Sequence, residues 1–215
     1  MTLPEHHLVT PVSLSLLDGM DGEDVCALCA GRGTCCCATD PGWAHLSFPL
    51  SSAEWRRLLP FAHLVAQKEK RAGSAAEDRE ETAELIPPEK GDAVCLSEEN
   101  SPAFLQAVKS LFPAEQKRLP ALFPEGGRHL RLRTRSDGSC VFLSGRGCRL
   151  PREARPWYCL LFPGWVQGTS VTLFMSESCL AAQHAKNPAH GLKIMGMTRA
   201  GVFALYASLR RDWGL

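Results

Sequence analysis

Ten cysteines punctuate this chain of 215 residues, five of them between Cys26 and Cys37 and four more at Cys140, Cys148, Cys159 and Cys179. Thiols packed this closely restrict the folds open to the chain, because clustered sulfurs call for burial, a bond to one another or a shared metal. The step Cys26-x-x-Cys29, followed by Gly31 and Gly33, is the pattern of a metal site. Glycine lets the backbone double back at positive φ, and two sulfurs leaving a tight turn then converge on one centre.

Composition argues against the other two outcomes. Hydrophobic residues at 45% and charged residues at 22% are ordinary globular values, so the core needs no disulfide staples. The length fits a single domain over residues 1–215. Residues 1–7 lack the basic start and apolar run of a secretory signal, and the apolar stretch at 14–17 is far too short to span a membrane. The expectation is therefore a cytoplasmic protein, in whose reducing surroundings clustered cysteines serve metals or redox chemistry more often than disulfides. A net charge of +1 gives no global field toward nucleic acid or membrane.

The charge is nevertheless uneven. Arg128, Arg131, Arg133, Arg135, Arg146, Arg149, Arg152 and Arg155 face only Asp137 and Glu153 in that segment. Their side chains read as a solvated face, with an anion or acidic-partner patch as the functional alternative.

Periodicity and caps outline the rest. Residues 1–24 read as an extended lead-in and residues 44–50 as a short strand. Ser51 with Glu54 forms a capping-box pattern ahead of Trp55, Leu58, Leu59, Ala62 and Val65, a helix that Pro60 should kink. Residues 68–92 are charged and poor in large apolar side chains, as in a mobile insert. Ser101-Pro102 starts a second helix that ends near Pro113. Residues 129–135 alternate as a strand, Asp137-Gly138 marks a hairpin turn, and residues 140–143 supply the return strand carrying Cys140. A strand at 171–175, a helix at 178–185 and a terminal helix at 198–213 complete the pattern.

Taken in order, the Cys26-x-x-Cys29 step, the run Cys35-Cys36-Cys37, the Cys140-x-Phe142-Leu143 stretch, Gly147-Cys148, Arg155-Pro156-x-x-Cys159 and Cys179 resemble the YkgJ-like CxxCxxCC family of zinc- or iron-chelating domains. The likeness covers residues 25–180. It departs from the family name in two ways: five residues rather than two separate Cys29 from the next cysteines, and the pair is a triplet. Successive side chains point in different directions, so at most two of the three face one centre; Cys35 and Cys36, which follow Gly33-Thr34 directly, are preferred over Cys37. The resemblance then implies Cys26, Cys29, Cys35, Cys36, Cys140, Cys148, Cys159 and Cys179 as metal ligands, with Arg155 donating to thiolate or sulfide.

Eight thiolates exceed one tetrahedral zinc, and a 4Fe–4S cluster takes one cysteine per iron, so the cofactor is expected to be zinc or an iron–sulfur cluster in one centre or two. Cys95 reads as a small buried hydrophobe, and His45 and His184 as surface or hydrogen-bonded histidines. The expected fold is α+β, a small mixed domain with a short antiparallel hairpin and several helices around a cysteine-ligated metal centre.

The expected function is metal binding. Some relatives of the family are linked to flagellin lysine methylation, which makes an iron–sulfur redox or methyltransferase-associated enzyme the alternative. A zinc-dependent interaction or nucleic-acid module comes third, because the Cys140-x7-Cys148 spacing is not a zinc-finger knuckle. The partner class is left at an unidentified protein, and no independent catalytic constellation stands out.

Overall fold

The computed structural model describes residues 22–31, 48–65, 93–174 and 179–215. The expected insert at 68–92 and the lead-in up to residue 21 lie outside these residues. The elements run α1 (Gly22–Gly31), α2 (Ser52–Leu58), β1 (Cys95–Glu99), α3 (Pro102–Leu111), α4 (Leu119–Leu122), β2 (Arg128–Leu132), β3 (Leu143–Ser144), β4 (Gly147–Cys148), α5 (Trp157–Leu161), β5 (Gly164–Gln167), β6 (Ser170–Leu173), α6 (Leu180–His184), α7 (Pro188–Ile194) and α8 (Arg199–Trp213). The strands pair antiparallel two by two, β1 with β2, β3 with β4 and β5 with β6. The fold is thus mixed helix and strand, α+β.

Local signals set the helix ends. The Ser51 hydroxyl accepts from Glu54 N at 3.1 Å while the Glu54 carboxylate accepts from Ser51 N at 2.8 Å, the reciprocal capping box. Pro60, which lacks a backbone donor, converts the chain after Leu58 into a 3-10 turn over Leu59–Leu64 rather than kinking a longer helix. Ser101 caps α3, with Pro102 at its first position. Thr198 caps α8, and Gly214 closes it at φ +64°.

The central strand differs from its sequence reading in two respects. β2 pairs with β1 in the register Cys95↔Leu132 to Glu99↔Arg128, not with residues 140–143. The Asp137-Gly138 turn does form, with Gly138 at φ +81°, but its return is reduced to the bridge Thr134↔Cys140. The donors that would extend the ladder are engaged elsewhere, Arg133 N by Val94 O at 2.8 Å and Leu143 N by Cys140 O at 2.9 Å, while the Arg135 guanidinium donates to Val141 O at 3.0 Å and Leu143 O at 2.8 Å. Of the strand expected at 44–50, only residues 48–50 are described, and Leu50 bridges to Leu130.

The second difference is the face. His129 and Arg131 are buried, whereas Leu130 and Leu132 are half-exposed. Alternation fixes which residues share a face but not which face turns inward. Here the polar face turns inward because it is partnered: His129 stacks on Phe104 with ring centroids 3.7 Å apart and its Nδ1 lies 2.9 Å from Asn100 Oδ1, and Arg131 pairs with Glu98 at 2.6 Å.

The main core joins α3, α4, β5 and α8 around Phe104, Phe112, Trp165, Val202 and Leu209. Trp165 packs edge-on to Phe112 and Tyr206, at 5.7 and 5.2 Å between centroids. Two smaller apolar clusters flank it, and both contain cysteines.

Candidate metal centre

Cys26 and Cys29 sit on a helix, not on a tight turn. Ala27, Leu28 and Ala30 are good helix formers, and the spacing of three puts the two thiols on one face. Val25 and Cys29, one turn apart, are buried and share an apolar cluster with Cys179, Leu180, Ala181 and Ile194. Cys179 precedes the first residue of α6, which starts two positions after the expected start at 178. The first cysteine step and the last cysteine therefore meet in one small core.

The β3–β4 hairpin lies against α1. Gly147 stands at φ +99°, and a Cβ there would be 3.6 Å from Ala27 Cα; a Cβ on Gly31 would be 3.7 Å from Gly145 O. Cys148 follows immediately. This contact joins segments more than a hundred residues apart, with Gly147 supplying both a backbone conformation that other residues avoid and the close approach.

The remaining thiols gather behind the hairpin. Cys140 and Cys148 are half-buried beside Cys95, Phe142, Leu150 and Ala154. Burial first, then the Cys140 thiolate, pushes the Cys95 thiol up to about 12, so it stays protonated at neutral pH. Cys159, on α5, is exposed by area, yet crowding by protein atoms is the first cause that raises its thiol well above the usual range. The charges of Cys140, Cys148 and Glu54 raise it further.

Arg155 donates through Nε to Leu150 O at 3.0 Å, and its charge lowers the Cys159 thiol. Most of the arginines expected on a solvated face prove to hold backbone carbonyls. Arg128 donates to Ser97 O at 2.6 Å, Arg131 to Leu132 O at 2.9 Å and Arg149 to Leu64 O at 2.8 Å, beside the two bonds of Arg135. Irregular segments leave carbonyls without a ladder partner, and planar guanidinium groups satisfy them.

One group escaped the sequence reading. Glu54, only 1% exposed, also accepts from Trp157 N at 2.8 Å, and burial is the first cause that raises its carboxyl. The capping box disclosed its local bond. Nothing in the spacing disclosed the bond to a residue 103 positions away.

Thiol donors of this kind suit a thiophilic metal. Among the described residues no three His, Cys, Asp or Glu side chains are grouped so as to hold an ion, and Cys35, Cys36, Cys37 and His45 lie outside those residues. None of the described helices is long and apolar enough to cross a membrane. No protein family, curated protein or solved structure matches this chain.

Proposed function

We propose that this chain is a metal-binding protein that holds zinc or an iron–sulfur cluster through Cys26, Cys29, Cys35, Cys36, Cys140, Cys148, Cys159 and Cys179, with Arg155 moderating the negative charge of the thiolates. The observation that carries the reading is the packing of the Cys26–Cys29 helix on the Gly147-Cys148 hairpin. Two cysteine groups remote in sequence adjoin there through a glycine whose φ other residues avoid. The resemblance to the YkgJ-like family points the same way, and with it goes a cytoplasmic location, where thiols stay reduced.

Bound metal would neutralise thiolates that otherwise repel one another, and its binding free energy would be folding free energy. The chain's own residues supply soft donors, a guanidinium beside Cys159 and an apolar wall of Val25, Phe142 and Leu180 that limits water. Anaerobic purification followed by zinc, iron and acid-labile sulfide analysis tests the reading. Zinc alone identifies a structural thiolate site, and iron with equal sulfide identifies a cluster. Neither metal in stoichiometric amount overturns the proposal.

A further inference from the structure

Glu54 is a buried carboxylate that the metal reading leaves without a role. Both its oxygens are engaged, Oε2 by Ser51 N and Oε1 by Trp157 N, each at 2.8 Å. A capping box does not need burial, since a glutamate at that helix position makes the same bond in water. The second bond is what draws Glu54 inside. It ends on the first residue of α5, two positions before Cys159.

α5 spans five residues, too few for a helix to hold itself together, so tertiary contacts decide where it sits. α2 provides them. Arg57, one turn after Glu54, donates to Arg155 O at 3.3 Å and lies 4.4 Å above the Trp157 ring. Glu54 and Arg57 therefore grip residues 155–157 from one helix face, on the N-terminal side of Cys159.

We propose that Glu54, assisted by Arg57, is the positioning residue for Cys159, so that the grip of α2 on residues 155–157 sets the hold of that thiol on the metal. The inference rests on the metal-binding reading. It assigns to the capped helix a role beyond packing.

The test loads the full-length chain with Zn²⁺ or Co²⁺ and compares wild type with Glu54→Gln, Arg57→Ala, Ser51→Ala and Cys159→Ser. Glutamine has one acceptor oxygen in place of two, so one bond is lost. Zinc release to a chelating dye should be at least about tenfold faster in Glu54→Gln, the factor that corresponds to ~1.4 kcal/mol. The sulfur-to-cobalt band per bound ion should weaken as it does in Cys159→Ser; a residue that only stabilises the fold shifts the melting temperature and leaves that band alone. Ser51→Ala keeps the backbone donors Ser51 N and Trp157 N and removes only the Ser51 hydroxyl that also bonds the carboxylate, so it should speed zinc release less than Glu54→Gln.

Wild-type release and an unchanged band in Glu54→Gln overturn the inference, as does Ser51→Ala behaving like Glu54→Gln. If Glu54→Gln does not fold, Arg57→Ala carries the same expectations. Wild-type protein that binds neither ion overturns the zinc form of the metal reading and this inference together, whereas failure of the variants alone leaves the metal reading standing.

Discussion

His129 is buried against Phe104, with Nδ1 beside Asn100 and with Nε2 lacking a hydrogen-bond partner. Protonation would place a second donor where no acceptor waits. Burial first, and the Arg131 and Arg128 charges after it, lower the ring from 6.5 to about 4, although Glu98 pulls the other way. Between those two values the unfolded chain holds more protons than the folded one, so stability is full above 6.5 and falls as pH drops toward 4. The loss is on the order of 1–3 kcal/mol. Urea midpoints of wild type and His129→Gln at about pH 7 and about pH 5 should converge at the acid end; parallel profiles would mean that His129 does not titrate in this window.

Cys95 gives a different case, a thiol buried among Leu50, Leu58, Val94 and Phe142 as a small apolar side chain. Cys95→Ala should cost about 1 kcal/mol in lost packing and leave bound metal unchanged. Cys95→Ser should cost more, roughly 1–3 kcal/mol, because it buries a hydroxyl in an apolar cluster. A fall in metal content for the alanine variant would make Cys95 a ligand after all.

Among the elements, those with self-contained signals were legible. Ser51 with Glu54, Ser101-Pro102 and the apolar face of α8 are each complete within a few residues, so the sequence places those helices correctly. β2 was legible as a strand and misread in its partner and its inward face. Its pairing with β1 and the acceptors Glu98 and Asn100 lie about thirty residues away, beyond what a period-two pattern encodes. α1 was misread because a Cys-x-x-Cys step serves a helix as well as a turn. The glycines of the β3–β4 turn can be tested separately. Gly147→Ala should cost about 1–3 kcal/mol, because alanine does not settle at a φ near +99°. Gly145→Ala, with open space around the added carbon, should change stability by no more than about 0.5 kcal/mol. Equal effects in the urea midpoint would mean that the positive φ of Gly147 does not set the cost.

The three apolar clusters differ in what they owe to cysteine. The aromatic core around Trp165 contains none, whereas the cluster of Val25, Cys29, Cys179, Leu180 and Ile194 is small and built on two thiol-bearing helices. On the metal-binding reading, a domain with this distribution should not come apart in one step when the metal is removed. Structural zinc contributes roughly 10–16 kcal/mol to small folds that depend on it, and here that contribution would fall first on α1, which meets the rest of the described chain through the hairpin and α6. Chelation should therefore free α1 and the start of α6 while the aromatic core persists. Alkylation followed by peptide mass spectrometry would read this directly: Cys26, Cys29 and Cys179 should become reactive early and Cys95, shielded in its own cluster and held protonated, last. Tryptophan fluorescence from the Trp165 core should lag behind the first thiols. If all four thiols and the fluorescence changed together, the clusters would be one cooperative unit. If nothing changed, the cysteines would hold no metal whose loss the fold can sense.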